Sequence, residues 1–228
     1  MINYILKKIK NDQYKIDKNI LFYDLMILIF DRLIMVFRGF LLKINIKSKG
    51  LLFIGRNVRI VHKHKLLLGK NVTIKENSSI NSLVKSNIKI GNNFTLGSNS
   101  VIEGYGILSE IGESLEIGDN VGIGCHAFIA IRGKISIGSE TIIGPGLRLH
   151  SESHKHSDLK TLIRNQGTIR LGISIGSNCW IGTNVTILDG VSIEDGAIIG
   201  SNSLVNKNVN KNEIHFGIPA KFYKNRNS

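Results

Sequence analysis

Three of the seven histidines of the chain, His150, His154 and His156, lie in one short polar stretch, HSESHKHSD. Histidine suits two kinds of chemistry: a neutral imidazole accepts a proton near neutral pH, and a cluster of imidazoles can bind a metal ion. The stretch falls between Leu149 and Ile175, which lie 26 positions apart and interrupt an otherwise regular repeat. We therefore expect a projecting loop, and long loops on rigid scaffolds often carry function.

The repeat around this loop has a period of six residues. Its clearest run places a β-branched aliphatic residue at every sixth position: Ile175, Ile181, Ile187, Ile193, Ile199 and Val205. A strand repeats every two residues and a helix every 3.6, so neither alone explains this period. A solenoid of triangular cross-section does, with three six-residue sides in a coil of about 18 residues. We expect the glycines that often follow the aliphatic to give the turning chain room.

The same repeat extends back to residue 50, with slips in its phase. The inward positions are Ile54 and Ile60; Leu68, Ile74 and Ile80; Ile90, Leu96 and Ile102; Ile111, Ile117, Ile123 and Ile129; and Ile137, Ile143 and Leu149. The slips coincide with polar clusters at 62–65, 81–87, 103–109 and 132–134. We expect these clusters to be bulges at coil corners and the Leu149–Ile175 gap to be the one real interruption.

This pattern predicts an all-β protein, a parallel β-helix over residues 50–205. A loop at 150–172 is inserted into it, and a short C-terminal tail covers 206–228. Residues 1–49 form an N-terminal amphipathic helical segment. Within it, Asp17, Asp24, Asp31 and Arg38 recur every seven residues and would form one narrow polar stripe on an otherwise apolar helix.

The positive charge is concentrated at the N-terminal end. The net charge is +13; residues 1–70 hold 15 basic and 4 acidic residues, against 15 and 13 in residues 71–228. Because the excess surrounds an apolar segment, we expect residues 1–44 to make peripheral contact with an anionic membrane. The alternative is a helix that packs on the end of the solenoid or on a partner subunit. Nucleic acid is not expected, since there is no basic stripe interleaved with aromatic residues.

The expected location is the cytoplasm, at the inner face of the cell membrane. No uncharged run reaches the ~18–20 residues of a membrane span, and no early apolar region with a small-residue cleavage site indicates a signal peptide. The two cysteines, Cys125 and Cys179, are too few for a disulfide framework. They are expected to be buried thiols in a reducing compartment.

Three stretches carry a resemblance to a known family: IGSETIIGPGLRLHSESHKHSD, IGSNCWIGTNVTILDGVSIEDGAIIGSNSLVNKNV and GIPAKFYK. Together they resemble the hexapeptide-repeat acyltransferases, and among these the sugar and polysaccharide O-acetyltransferases related to maltose and galactoside acetyltransferases. The resemblance covers residues 50–228 and is strongest over 137–224. It implies a left-handed β-helix, a homotrimer, and acetyl-CoA bound in the groove between neighbouring subunits. The handedness comes from the resemblance and not from the periodicity.

The resemblance also assigns a catalytic residue. In the family a general-base histidine follows the first Ile of I-G-x-x-x-x-I-G-P by 17 positions, and from Ile137 this spacing leads to His154. His150 and His156 would then be solvated loop residues. Glu152 and Asp158 are alternatives for orienting His154. The family's oxyanion donor would fall near Gly124, with Cys125 and His126 beside it, although the matching asparagine is missing.

A metal site formed by the three histidines is the alternative. It is suggested by γ-class carbonic anhydrases, which share the solenoid. Their zinc ligands include an H-x4-H pair, a spacing that this chain does not have, so no metal is expected. An acyl-enzyme on Cys179 is a weaker mechanism, because no histidine lies near it in sequence.

The cofactor residues implied by the resemblance are Trp180, Gly182, Thr183, Ser201, Lys207, Lys221 and Lys224. Trp180 would line the pantetheine channel, or else simply pack a coil edge. Gly182 and Thr183 would border the thioester arm, and Ser201 would lie beside the cofactor. The three lysines would contact the phosphates of CoA, or be ordinary solvated residues. The proline of GIPAK is expected to end the last coil and turn the tail back.

The expected function is acetyl transfer from acetyl-CoA to a sugar hydroxyl of a cell-surface polysaccharide or its precursor. The expected membrane contact of the N-terminal segment suggests a polysaccharide acceptor, because polysaccharide precursors are built at the membrane. A non-catalytic β-helix scaffold and a sugar N-acetyltransferase are the alternatives. The acceptor sugar and the position that is modified are not determined by the sequence.

Overall fold

A computed structural model describes residues 17–44 and 46–227. One helix, α1 (Phe22–Leu42), precedes a solenoid in which each coil gives one short strand to each of three parallel sheets. We number the sheets I, II and III in the order in which each coil passes through them. Strands that pair with each other therefore belong to successive coils. This is the predicted parallel β-helix, with an N-terminal helix and a tail.

The strands of each sheet follow in coil order. Sheet I contains β1 (Lys47–Ser48), β4 (Leu66–Leu68), β7 (Ile88–Ile90), β12 (Leu115–Ile117), β15 (Ile135–Ile137), β20 (Ile173–Ile175) and β23 (Ser192–Ile193). Sheet II contains β2 (Leu52–Ile54), β5 (Val72–Ile74), β8 (Thr95–Leu96), β13 (Gly122–Ile123), β16 (Ile142–Ile143), β21 (Trp180–Ile181), β24 (Ile198–Ile199), β26 (Glu213–Gly217) and β27 (Ala220–Asn225). Sheet III contains β3 (Arg59–Val61), β6 (Ser79–Asn81), β9 (Val101–Glu103), β14 (Phe128–Ala130), β17 (Arg148–His150), β22 (Thr186–Leu188) and β25 (Leu204–Val205).

Two antiparallel hairpins project from the solenoid. One joins β10 (Tyr105–Ile107) to β11 (Glu110–Ile111), and the other joins β18 (Ser153–His154) to β19 (Thr168–Ile169). Short 3-10 turns occur at Lys63–Lys65 and Ile163–Asn165.

The inward aliphatic column forms the core. The six residues from Ile175 to Val205 that define the clearest run are each at most 2% exposed. Each inward residue lies directly against the equivalent residue of the neighbouring coil: Ile175 pairs with Ile137 of the coil before and with Ile193 of the coil after. The period of six therefore arises as predicted, with one inward aliphatic on each side of each coil.

The slips in the repeat all lie at one corner, between sheets III and I, which we call the loop corner. The extra residues there are 62–65, 82–87, 104–114, 131–134 and 151–172. The expectation that slips fall at coil corners is confirmed, and the structure adds that the corner is the same one each time.

One predicted core position is wrong. Ile111 is half-buried on β11, in the first hairpin, and the inward positions of its coil are taken by Leu115 and Ile117. The gap between Leu149 and Ile175 is therefore not the one interruption of the repeat. The error has a simple cause: Ile111 happens to keep the six-residue spacing to Ile117 although its strand has left the solenoid.

The glycines allow neighbouring coils to approach closely. A Cβ at Gly182 would lie 2.6 Å from the backbone nitrogen of Ser201 in the next coil. The turns themselves use asparagines in the left-handed region, such as Asn93 and Asn120, with φ of 54° and 57°. Asparagine adopts this conformation more readily than most residues. Their side chains also bond from coil to coil, with 2.7 Å between Asn93 Nδ2 and Asn120 Oδ1.

The tail extends sheet II beyond the last coil. Strand β26 adds to β24 in parallel, and β27 then turns back along β26 in the antiparallel direction. Pro219 lies in the turn between these two strands, not at the end of the last coil as the sequence suggested. The tail does turn back, as expected.

Helix α1 packs against the first coil. The guanidinium of Arg32 lies 5.3 Å from the ring centre of Phe53 on β2, and its Nη1 lies 3.4 Å from Thr73 Oγ1. Gly39 is the buried residue of the helix. Asp31 and Arg38 of the polar stripe border a surface cavity shared with Arg56 and Glu76. The helix thus packs on the solenoid end, one of the two alternatives drawn from the sequence.

The outward side of the helix is apolar. Its exposed side chains include Phe22, Phe30, Leu33, Phe37 and Phe40. Within residues 17–44 and 46–227, no helix is both long and apolar enough to cross a bilayer. The lysine-rich residues 1–16, on which part of the membrane expectation rests, lie outside the described residues.

Candidate active site

The loop that carries His154 and His156 is anchored at its start by Ser151, whereas His150 is the last residue of β17. This side chain is fully buried, and its Oγ accepts hydrogen bonds from the backbone N–H groups of Arg132 and Gly133 at 2.9 and 3.1 Å. It donates in turn to the carbonyl of Ala130 at 2.9 Å. The first residue after β17 is thereby fixed to the coil below, so the loop leaves the solenoid from a rigid point.

The far end of the loop is anchored by Asp189. Its two carboxylate oxygens accept the backbone N–H groups of Leu171 and Gly172, at 3.0 and 2.8 Å. Gly172 has a φ of +89°, a conformation that favours glycine. The loop is therefore held at both ends by hydrogen bonds to neighbouring coils.

Between these anchors the loop is an ordered hairpin. His154 on β18 lies opposite Thr168 on β19, and the N–H of Lys155 donates to the carbonyl of Gly167 at 3.0 Å. The side-chain amide of Gln166 donates to the carbonyls of Asp158 and Thr161, at 2.8 and 2.7 Å. These bonds give the backbone of the loop a defined path although most of its side chains are exposed.

His154 presents its side chain to solvent. Among the residues that the structure describes, none hydrogen-bonds its imidazole. Its carbonyl accepts a hydrogen bond from Nδ1 of His156 at 3.1 Å. Both ring nitrogens of His154 are thus accessible, and a neutral imidazole in this position can accept a proton from a bound molecule.

Neither residue considered for orienting His154 does so in this structure. Glu152 is bonded to Arg170, with Oε2 2.7 Å from its Nε. Asp158 accepts hydrogen bonds from the Thr161 hydroxyl at 2.6 Å and the Lys160 N–H at 2.9 Å. These bonds, the one from Thr161 first, hold the pKa of Asp158 below its ordinary value.

Arg170 is a residue that the sequence argument missed. Its side chain is 16% exposed and contacts Glu152 of the loop and Glu110 of the β10–β11 hairpin, at 2.7 and 2.9 Å. Its Nη1 also lies 3.4 Å from the carbonyl of Ile111. No local motif marks this cluster, since Glu110 and Arg170 are 60 residues apart and the loop corner brings them together.

A second group of candidate residues lies on sheet II. Trp180 is 56% exposed and points outward from β21, between Ile142 and Ile198 in the ladder. Ile142 is 65% exposed. The indole is therefore not packed into a coil edge within the described chain, and it forms an open apolar surface with the outward residues beside it.

The corner that follows Trp180, between sheets II and III, gathers several other candidates; we call it the tryptophan corner. Here the N–H of Thr183 donates to Ser201 Oγ of the next coil at 3.1 Å. Gly182 lies directly against Ser201, an approach that the missing side chain allows. Thr183 and Ser201 are both exposed, so the two side chains can border a ligand lying along this corner.

The tail meets the same corner. Gly217, the first residue of GIPAK, donates its N–H to Ser203 Oγ at 3.1 Å. Lys221 lies opposite Phe216, and Lys224 opposite Ile214, on exposed β27. Lys207 is also exposed but follows β25, at the loop corner. The structure thus places Lys221 and Lys224 on the extension of sheet II and separates Lys207 from them.

The region expected to supply an oxyanion contact also lies at the tryptophan corner. Gly124 and Cys125 stack beneath Gly144 and Pro145, and the carbonyl of Cys125 accepts the N–H of Gly146 at 2.8 Å. His126 has a φ of +60°. Within one chain, these residues therefore lie at a different corner from the loop of His154, and sheet III separates the two corners.

The two cysteines differ in environment. Cys179 is buried, and its Sγ lies 3.2 Å from the carbonyl of Glu194. Burial raises the pKa of this thiol above its ordinary value, which disfavours the thiolate needed for an acyl-enzyme. Cys125 is only partly buried, so the expectation of two buried thiols holds for Cys179 alone.

The described residues contain no group of three His, Cys, Asp or Glu side chains arranged to hold a metal ion. Of the three histidines considered for a metal site, His150 lies on β17 and not in the loop as expected, with its ring 6.0 Å from that of Phe128. His154 and His156 both lie in the loop hairpin with exposed side chains.

Residues 172–207 match the sequence model for the bacterial transferase hexapeptide (six repeats). This stretch of the chain therefore carries hexapeptide repeats of the bacterial transferase kind. The matched residues begin where the loop returns to the solenoid and include Trp180, Gly182, Thr183, Ser201 and Lys207. No curated protein matches the chain significantly.

Solved structures share the fold at low sequence identity. A point mutant of AntD, an N-acyltransferase from Bacillus cereus, in complex with dTDP-4-amino-4,6-dideoxyglucose and coenzyme A, is 19% identical with a TM-score of 0.52, covering 83% of this chain and 89% of its own. AntD with dTDP and 3-hydroxybutyryl-CoA is also 19% identical, with a TM-score of 0.51 and coverages of 83% and 88%. The polySia-specific acetyltransferase NeuO is 21% identical, with a TM-score of 0.51 and coverages of 79% and 86%. These likenesses establish a left-handed β-helix fold for the chain.

Proposed function

We propose that this hexapeptide-repeat protein is an acetyl-CoA-dependent O-acetyltransferase. The acceptor is a sugar hydroxyl of a cell-surface polysaccharide or its precursor. The observation that carries the proposal is the exposed imidazole of His154, to which no residue in the described part of the chain hydrogen-bonds, on a loop anchored at both ends. A non-catalytic scaffold has no need for such a loop. AntD and NeuO, which share the fold, are described as acyl- and acetyltransferases, and AntD binds coenzyme A.

His154 acts as the general base in this proposal. Its neutral imidazole takes the proton of the sugar hydroxyl while that oxygen attacks the carbonyl carbon of the thioester. The resulting tetrahedral alkoxide collapses, the carbon–sulfur bond breaks, and the leaving CoA thiolate takes the proton from the imidazolium. The products are an acetyl ester and free CoA, and the imidazole returns to its neutral form.

The tryptophan corner would bind the acyl donor. The exposed indole of Trp180 offers apolar surface for the pantetheine arm, while Gly182, Thr183 and Ser201 border the corner along which the arm would lie. Lys221 and Lys224, on the extension of sheet II, are suited to contact phosphates. Lys207 lies at the other corner, so it would contact CoA only if CoA is shared between subunits.

This separation supports a homotrimer. Within one chain the loop of His154 and the residues around Trp180 leave from different corners, on either side of sheet III. A site that contains both is completed most simply when the loop corner of one subunit faces the tryptophan corner of its neighbour. We propose that the acetyl-CoA groove lies at this contact.

Acetylation of a sugar amine is the second candidate. It is favoured by the amino-sugar nucleotide bound to AntD, and a general-base histidine would serve either acceptor. An assay with two acceptors separates the candidates: polysialic acid tests transfer to hydroxyl groups, and dTDP-4-amino-4,6-dideoxyglucose tests transfer to an amine. Mass spectrometry of surface glycan, from cells with and without the protein, identifies the acceptor if neither is used.

Replacement of His154 by alanine tests the mechanism. We expect kcat to fall by about 10²–10⁴, the range for a lost general base, with CoA binding and thermal stability unchanged. His64→Ala is the matched control, since His64 is an exposed histidine at the loop corner of the first coil. If the His154 variant keeps more than half of its turnover while CoA still binds, His154 is not the base.

Trp180→Ala tests the donor site. We expect about tenfold weaker CoA binding, with little change in kcat at saturating donor, because the indole would contact pantetheine and not the reacting atoms. Ile142→Ala removes the adjacent exposed apolar residue of the same ladder column and is the control. Equal CoA affinities for wild type and the Trp180 variant would place the donor elsewhere.

The exposed face of α1 supports a further part of the proposal: peripheral contact between residues 1–44 and an anionic membrane at its inner face. The helix uses one side to contact the solenoid, which leaves the phenylalanine-rich side available. Membrane contact would bring the enzyme close to a lipid-linked glycan precursor.

A further inference from the structure

The guanidinium of Arg170 joins three segments that are distant in sequence. Nε and Nη2 both lie 2.7 Å from Oε2 of Glu152, and Nη2 lies 2.9 Å from Oε2 of Glu110. Nη1 reaches the carbonyl of Ile111 at 3.4 Å. Glu152 and Arg170 stand on the two arms of the loop hairpin, whereas Glu110 and Ile111 belong to the β10–β11 hairpin.

These contacts lie beside the proposed base. Glu152 precedes His154 by two residues, and Arg170 follows Thr168, the ladder partner of His154, by two. The cluster therefore crosses the base of the loop hairpin at the level from which His154 projects. A link at this level limits rotation of both arms relative to the solenoid.

The second hairpin is itself held in place. Gly106 lies so close to Arg132 that a Cβ would be 2.9 Å from its Nη2. Arg132 belongs to the coil between the two hairpins, at the same corner, and its carbonyl accepts the N–H of Glu113 at 3.1 Å. Glu110 is thus presented from a supported segment, so a bond to it fixes Arg170 against the solenoid.

We propose that Arg170 is a positioning residue that holds the loop in the geometry from which His154 reaches the acceptor hydroxyl. The role requires arginine, because one planar guanidinium donates to two carboxylates and a carbonyl at once, which an ammonium on a flexible stem does poorly. The side chains of Arg170 and Glu152 are only 16% and 21% exposed, so this pair is less screened than a surface ion pair. The proposal rests on the proposed function of His154.

The first test measures the loop directly and needs no acceptor. Lys155, Lys160 and Arg164 are exposed trypsin sites within the loop. In Arg170→Gln and Glu110→Gln we expect cleavage at these sites to be several-fold faster, with an unchanged melting temperature. Glu116→Gln, which removes an exposed ion pair with Lys89 on sheet I, is the control. Unchanged loop cleavage in both variants would overturn the proposal.

The second test asks whether Arg170 acts through His154. Turnover is followed as CoA release from acetyl-CoA with polysialic acid, or as slow hydrolysis if that acceptor is not used. We expect Arg170→Gln to lower kcat about 10- to 100-fold at unchanged KM for acetyl-CoA, since small displacements of a reacting group are costly. Arg170→Lys should recover only part of this loss.

A double variant separates the two proposals. If Arg170 only positions His154, then His154→Ala with Arg170→Gln is no slower than His154→Ala alone. If the loss of kcat in the double variant equals the product of the losses in the two single variants, Arg170 acts independently of His154 and the inference is overturned. Full activity of His154→Ala would instead overturn the proposed function. Should Arg170→Gln fold poorly, the same cycle is run with Glu110→Gln, which lies outside the loop.

Discussion

Gly39 of helix α1 lies against the backbone of Leu52 on the first strand of sheet II. A Cβ at position 39 would be 2.0 Å from the Leu52 carbonyl oxygen and 2.8 Å from its carbonyl carbon. Neither atom can move without disturbing the ladder of the first coil. This contact fixes how closely the helix approaches the solenoid and makes the absence of a side chain at position 39 a requirement of the packing.

We predict that Gly39→Ala weakens the docking of α1. The steric overlap should cost about 1–3 kcal/mol, more than the ~1 kcal/mol that alanine contributes to helix propensity. The measurements are thermal unfolding and the rate of tryptic cleavage in α1. Phe40→Ala, at a position 75% exposed, is the control. A Gly39 variant with wild-type stability and cleavage would show that the helix adjusts without cost.

Ser151→Ala should destabilise the start of the loop. It leaves the N–H of Arg132 without its acceptor, at about 1–3 kcal/mol for an unsatisfied group, whereas the N–H of Gly133 keeps its bond of 2.9 Å to the backbone carbonyl of Ser151. A lower melting temperature in differential scanning calorimetry is the expected result. Ser174→Ala, which removes an exposed hydroxyl bonded to Ser136 at 3.2 Å, should have little effect. Equal melting temperatures for both variants would contradict this account of the anchor.

The bond between Asp119 and the coil below predicts a pH dependence. Its Oδ1 accepts the backbone N–H of Asn92 at 2.6 Å, and this bond first, then the Asn92 side-chain amide, lowers the pKa of Asp119. Because the folded pKa lies below the unfolded value of about 3.9, the stabilisation is complete above that pH and is lost as the pH falls through the folded pKa.

Asp119→Asn should therefore reduce stability at pH 7 by on the order of 1 kcal/mol, the typical net value of a hydrogen bond. The difference from wild type should shrink below about pH 4. Urea unfolding at a series of pH values measures it. A difference that stays constant down to about pH 2.5, well below the ordinary aspartate pKa, would show that the carboxylate charge contributes nothing.

The separation of the two corners predicts that activity requires an oligomer, and the resemblance to hexapeptide-repeat acyltransferases makes a trimer the expected one. Light scattering at micromolar concentration should give about three times the mass of the 25.3 kDa chain. At an acetyl-CoA concentration far below saturation, where Trp180→Ala chains turn over slowly, mixing them with inactive His154→Ala chains should give more activity than the sum of the two, because some interfaces then combine an intact loop with an intact tryptophan corner. A fully active monomer would remove the proposal of a shared site.

The outward side of α1 predicts binding to anionic vesicles. Each nearby basic residue contributes roughly 1 kcal/mol, and this part is screened within about 8 Å at physiological salt. Binding should therefore weaken as salt rises and disappear on deletion of residues 1–44. Phe30→Ser with Phe37→Ser should reduce it while leaving the packed side of the helix intact.

Contact with a neighbouring subunit predicts the opposite pattern. The two phenylalanine substitutions would then lower the trimer mass or its melting temperature, and vesicles would have no effect. Co-sedimentation and light scattering on the same variants separate the two outcomes. Equal, salt-insensitive recovery of wild type and the deletion in the supernatant would eliminate membrane binding.

The sequence by itself determined the solenoid, because each inward aliphatic reports the local path of one side of a coil. The column from Ile175 to Val205 could be predicted for this reason, as could the projecting loop where the column stops. The spacing that led to His154 is also local, although the role assigned to that histidine came from a resemblance and stays a prediction. The mistaken core position of Ile111 shows the limit of the same signal, since a hairpin can preserve a spacing by coincidence.

Only the tertiary structure decided which distant residues meet. The register between coils places every slip at one corner, brings Glu110 to Arg170 across 60 residues, and thereby pairs Glu152 with a cation and not with His154. It also puts Lys207 at a different corner from Lys221, docks α1 on the first coil and adds the tail to sheet II. A period of six specifies the side of the triangle that a residue occupies. It carries no information on the length of each corner, and those lengths determine which side chains become neighbours.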